Sequence, residues 1–239
     1  MENTFPQTQQ EPLVLKRTFI SSVFSWMGVA LAITAVTAYI FGTDETYIRY
    51  LLTETEAGLK PTGLGYFVMF SPIGFVLLMS FGFQRLSQMA LTILFLIYSV
   101  IMGMSLSFIF LQFAKSQIYT TFGISAALFG VMALTGYTTK TDLTKLGGIL
   151  FMALIGIIIA SLVNMFLGSS QMDYIISFIG VLVFTGLTAY DVQKLKRIGS
   201  GVEYGSEAAA KLSIMGALNL YLDFINLFLM LLRLFNNRK

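Results

Sequence analysis

The 239 residues contain no cysteine and no histidine. Without cysteine there can be no disulfide and no thiolate metal site. Without histidine, a response to pH near neutrality cannot use an imidazole. It needs instead a carboxyl group or a lysine whose titration is displaced by its surroundings. Charge is also scarce: 11% of residues are Asp, Glu, Lys or Arg, whereas 56% are apolar. A soluble domain of this length needs far more charge to cover its surface. No basic cluster is dense enough to suggest nucleic acid as a partner, and no cleaved signal peptide is expected, because the first apolar run is too long.

What is present is a series of apolar runs near the roughly 20 residues needed to span hydrocarbon. The reading is an all-α polytopic membrane protein with seven transmembrane helices, about Thr18–Phe41, Gly65–Phe83, Met89–Phe113, Phe122–Tyr137, Leu146–Leu167, Tyr174–Tyr190 and Leu212–Phe235. Residues 1–17 form a flexible cytoplasmic tail in this reading, and residues 18–239 the membrane domain. The stretch with Asp44, Glu45, Glu54 and Glu56 is a loop, either simply solvated or concentrating cations at an entrance. Pro72 should kink the second span, and Thr141 could cap the fifth. Lys16, Arg17, Arg85, Lys140, Lys145, Lys194, Lys196, Arg197 and Lys211 fall on the side of the N-terminus, against Arg49, Lys60 and Lys115 opposite. By the positive-inside rule that side is cytoplasmic. Arg238 and Lys239 run against this count, and a re-entrant last segment would remove the conflict, but its length and lack of proline favour a full crossing.

Asp223 lies near the midpoint of the last span, in NLYLDFINLFLML. An acid at that depth costs about 2.5–3.5 kcal/mol on insertion scales, so it must face the protein interior or a water-filled cavity. Gly216, Asn219, Asp223, Asn226, Met230 and Arg233 follow steps of three and four and share one helix face. That polar stripe belongs at the centre of a bundle, where it could line a pathway or merely join helices through hydrogen bonds. Asp191 ends the sixth span in AYDVQKLK. It is either a solvated carboxylate balanced by Lys194 and Lys196 or part of a site. Arg85, after the second span, anchors that helix to headgroups or acts on the site.

AYDVQKLK and LNLYLDFINLFLMLLRLF together resemble the two signature segments of the Bax inhibitor-1 family, and KTDLTKLGG before the fifth span is similar to the family's loop there. The resemblance runs from the first span to the end. It implies a seven-helix bundle with the C-terminal helix at the centre. Bacterial members that this chain resembles are pH-sensitive calcium leak channels of the inner membrane in which two aspartates share a proton, and those map to Asp191 and Asp223. The same pair would meet Ca²⁺ transiently as the permeant ion, with no resident cofactor. The family also has an arginine that latches the span-six aspartate in the closed state. Direct matching puts Gln84 at that position, with Arg85 beside it and turned by about 100°. Read literally, the spans put Asp223 about 16 Å deeper than Asp191. For the two to meet, the last span must sit closer to the cytoplasm than its hydropathy suggests; GSEAAAK could then extend that helix into water and Arg233 could snorkel outward.

The function expected is therefore a cation leak gated by Asp191 and Asp223, with Asn219 and Asn226 along the pathway. Its partners are the bilayer, calcium ions and protons. The alternatives are a regulator that binds another membrane protein, such as a quality-control protease, through its N-terminal tail, and a proton-coupled cation exchanger. An enzyme is not expected. Walker A, H-E-x-x-H and G-x-S-x-G patterns are missing, as are the GxGD and PAL motifs of intramembrane aspartyl proteases.

Overall fold

The computed structural model describes residues 11–56, 58–203 and 205–236, with side chains described from Thr18 onward. In chain order the elements are α1 (Glu11–Thr43), α2 (Glu45–Leu51), β1 (Leu52–Thr55), β2 (Gly58–Pro61), α3 (Gly63–Gly82), α4 (Gln88–Leu106), α5 (Ile109–Gln112), α6 (Lys115–Thr138), α7 (Thr144–Leu167), α8 (Ser170–Ile198) and α9 (Glu207–Asn236). Among the described residues, seven helical stretches are long and apolar enough to cross a membrane, with α4 and α5 forming one of them. The seven-helix expectation holds.

The last helix is the hub. In its most apolar window 72% of residues are buried, against 11% for α7 and 17% for α3. α9 packs on α8, α1, α6 and α4, whereas α3 rests mainly on α4, and α7 on α8. A helix that is apolar nearly all round must be surrounded by protein or lipid, and here α9 has protein on most sides. Its polar stripe is the exception.

Small residues let the helices approach. A β-carbon on Gly136 of α6 would lie 2.1 Å from the Ala189 carbonyl oxygen of α8, so only glycine fits that crossing. Polar ties reinforce the packing. Thr34 of α1 donates its hydroxyl to the Ser99 carbonyl of α4 at 2.9 Å, and its oxygen lies 2.8 Å from the Tyr221 hydroxyl of α9. Because the Thr34 hydrogen is used on Ser99, Tyr221 donates to Thr34. Three helices meet at one threonine, and away from water each of its bonds needs a partner.

Several boundaries differ from the sequence reading. Residues 11–17, assigned to the tail, are instead the first turns of α1, while residues 1–10 lie outside the described residues. The acidic loop is in part ordered: Asp44 accepts from the Thr46 amide at 2.8 Å and starts α2, and β1 and β2 pair as an antiparallel hairpin. The fourth span begins at Lys115 rather than Phe122, because the polar first turns of KSQIYTT are helical too. Pro72 lies inside α3, which continues through it to Gly82. Thr141 does not cap α7; Asp142 accepts from the Thr144 amide at 2.9 Å, and the Thr141 carbonyl accepts from Gln193. Arg238 and Lys239 lie outside the described residues.

Candidate functional site

α8 and α9 run antiparallel, and two close approaches set their register. A β-carbon on Gly216 would lie 2.6 Å from Leu195 Cδ2, and one on Gly180 would lie 2.7 Å from Met230 Sδ. Between those crossings Asp191 faces Asp223, and their carboxyl groups are within hydrogen-bond reach. The apparent difference in depth is resolved by where α9 begins. Asp191 lies about 10 Å from the end of α8 and Asp223 about 24 Å from the start of α9. The N-terminus of α9 therefore projects about 13 Å beyond the end of α8. Starting at Glu207 rather than Leu212 supplies about 7.5 Å of that length.

Asp223 is only 6% exposed, whereas Asp191 is half-buried. Among the described residues Asp223 Oδ2 has no hydrogen-bond partner. Buried carboxyl oxygens ordinarily have a hydrogen-bond partner. Two carboxyl groups this close need a hydrogen or a cation between them, because two carboxylates offer only acceptors.

Both acids line a cavity of about 1040 Å³ between α7, α8 and α9. On α8 it extends from Asp173 to Lys194, and on α7 from Gly147 to Met165. At 1.5 Å per residue those lengths are about 31 and 27 Å, comparable to a hydrocarbon core of about 30 Å. The α9 stripe forms one wall. Asn219 and Asn226 line it, and Asn226 donates Nδ2 to the Leu222 carbonyl at 2.8 Å, which turns its Oδ1 away from the helix backbone. Asn219 is exposed although it lies on the central helix, because the cavity opens there.

The sequence reading gave Asp191 two lysine neighbours, and the structure separates them. Lys194 lines the same cavity and acts electrostatically on Asp191. Lys196 points elsewhere, donating Nζ to the Tyr137 carbonyl at 2.6 Å. Gln84 and Arg85 are exposed in the turn after α3 and border a separate groove with Glu207 and Lys211. Neither lines the cavity that holds Asp191, and α3 packs mainly on α4 rather than on α8.

Other residues of the site were missed. Ser161 and Asn164 of α7 line the cavity, as does Asp173 at its far end, where Arg233 of the α9 stripe also lines it. A signal existed for the first two. They are the only hydroxyl and amide side chains between Leu146 and Leu167, and their spacing of three puts them on one face. The α6–α7 loop is clasped to α8. Gln193 accepts from the Leu143 amide at 2.9 Å, and Arg197 donates to Asp142, Thr144 and its own neighbour Gln193. The Thr144 hydroxyl and the Arg197 guanidinium hold the Asp142 carboxyl well below the usual carboxylate range.

A family profile described as "Inhibitor of apoptosis-promoting Bax1" matches residues 16–239. The chain belongs to the Bax inhibitor-1 family. Relatives span it almost end to end. The "Inner membrane protein YbhL" of Escherichia coli (strain K12) is 42% identical over 238 residues, covering 98% of this chain and 99% of that protein. An uncharacterized protein of Rickettsia prowazekii (strain Madrid E) is 43% identical over 223 residues, covering 93% of this chain and 91% of its own. An uncharacterized membrane protein of Streptococcus pyogenes serotype M6 is 35% identical over 219 residues, 91% of each chain. Membership and the seven apolar helices make this a polytopic membrane protein.

Proposed function

We propose that this Bax inhibitor-1 family protein is a passive cation leak whose conductance follows the protonation of the Asp191–Asp223 pair, with Ca²⁺ as the permeant ion. The observation that carries the reading is the meeting of two carboxyl groups in the wall of a cavity about as long as the hydrocarbon layer is thick. A shared hydrogen draws α8 and α9 together at that point. Its loss leaves two like charges in contact away from bulk water, a pair that is stable only if the side chains separate or take up a cation. Flux therefore rises with pH. Ca²⁺ prefers six to eight oxygen ligands. Two carboxyl groups and the side-chain oxygens of Asn219 and Asn226 offer at most six, the bottom of that range and only with both carboxylates bidentate, which favours passage over storage.

The net excess of Lys and Arg in the loops on the side of the N-terminus supports a cytoplasmic placement of that side, and the name of the Escherichia coli relative supports the inner membrane. No enzymatic role is part of the proposal. Purified protein in liposomes loaded with a Ca²⁺ dye tests it. Entry faster than in protein-free liposomes, and changing between pH 6 and 8, is the expected result. Entry equal to that of empty liposomes overturns the proposal. Uptake against a calcium gradient, driven by a pH gradient, would indicate exchange instead.

A further inference from the structure

A second hollow lies between α1 and α6 and shares no lining residue with the first. It has a volume of about 530 Å³, is lined by apolar side chains, and takes no part in the cation pathway. Gly28 on one wall and Gly130 on the other have open space where a side chain would stand. Along α1 the groove runs from Ile20 to Leu31, about 16 Å, which is the hydrocarbon depth of one leaflet. Beyond Leu31 the seam narrows to a hollow of about 150 Å³, too small to seat another helix.

The groove ends at Tyr137, and there the charge is positive. Lys196 of α8 sits over the Tyr137 ring, 5.3 Å from its centroid, and gives one hydrogen bond to the Tyr137 carbonyl. An ammonium has three donors, so two remain for a ligand. Lys140, three residues beyond Tyr137, is exposed at the same end. The neighbouring acid, Asp142, is already paired with Arg197. A chain-shaped apolar trough of single-leaflet depth with a cation at its mouth matches the two ends of an anionic phospholipid. A transmembrane helix from a partner would need contact across the whole bilayer and would leave the lysine without an anion.

We propose that the α1–α6 groove holds an acyl chain of an anionic phospholipid whose phosphate lies on Lys196. Native mass spectrometry of the detergent-solubilised protein, offered equal amounts of phosphatidylglycerol and phosphatidylcholine, tests this without reference to ion flux. One phosphatidylglycerol is retained per chain, with a preference of about fivefold over phosphatidylcholine. Lys196→Gln removes the preference, and Lys196→Arg restores it. Gly28→Leu combined with Gly130→Leu fills the trough and abolishes retention while the melting temperature holds. Should Lys196→Gln fail to fold, the glycine pair still decides the matter, since both positions face open space. Equal retention of the two lipids by the wild type, or undiminished retention in the filled groove, overturns the proposal. So does a dimer mass in place of a lipid adduct, which would make a second copy the occupant.

Discussion

Replacing Asp223 by asparagine keeps the size of the side chain and removes the acid. In the proposed wild-type site, one hydrogen lies between the two carboxyl groups, which are within hydrogen-bond reach of each other. If one proton sets the balance between bonded and separated helices, that balance shifts by at most tenfold per pH unit, or about 1.4 kcal/mol. Between pH 6 and 8 the ceiling is about a hundredfold. In Asp223→Asn the amide donates to Asp191 at any pH above the range of a simple carboxylate, so the contact persists and no longer titrates near neutrality. Dye-loaded liposomes with a fixed outward-to-inward Ca²⁺ gradient read the difference directly. Wild-type entry should rise with pH, and the variant should change by less than about twofold over the same range. Its flux should also stay at the low end, since one cavity charge is gone. A variant that keeps the wild-type pH profile would refute the assignment, because the titrating group would then lie elsewhere.

Three further outcomes follow from other parts of the fold. Gly136→Ala drives a β-carbon against the Ala189 carbonyl and should cost about 1–3 kcal/mol, seen as a lower melting temperature in detergent. Tyr221→Phe removes the donor to Thr34 and should cost about 0.6 to 1 kcal/mol, a smaller drop in the same assay, and adding Thr34→Val should enlarge it by also removing the bond to the Ser99 carbonyl. The loop clasp should open only in acid. Asp142 has its carboxyl lowered, so the clasp is fully formed above the ordinary carboxylate value of about 3.9 and weakens as pH falls below it. Proteolysis at residues 139–143 should therefore be unchanged from pH 6 to 8 and faster below about pH 4, with Asp142→Asn insensitive to the difference.

Helix number and the role of the last helix could be read from the chain because both follow from composition and period. A stripe running Gly216, Asn219, Asp223, Asn226 inside an otherwise apolar segment has only one comfortable location, and α9 occupies it. Asp191 was harder. Its position near the end of a span left a solvated acid and a site residue both open, and α9 meets it at that level by starting as early as Glu207. Hydropathy does not mark that turn, since GSEAAAK is polar and helical at once. The partner choices of Lys194 and Lys196 were not legible either. Two residues turn a helix by about 200°, so one lysine reaches the cavity and the other reaches α6. Which of the two does so depends on how α8 is rotated against α6 and α7, a property of packing rather than of local sequence. Gln84 and Arg85 illustrate the same limit. Their place after α3 was clear, but the distance from Asp191 reflects α3 leaning on α4.

The central claim is that Asp191 and Asp223 hold one proton between them. Infrared difference spectroscopy of the carboxyl C=O band, titrated across neutral pH in lipid, measures this most directly. One protonated carboxyl per chain should disappear in a single step, and either Asp191→Asn or Asp223→Asn should abolish the whole band change. Two separate titrations, each surviving loss of the other residue, would contradict the account.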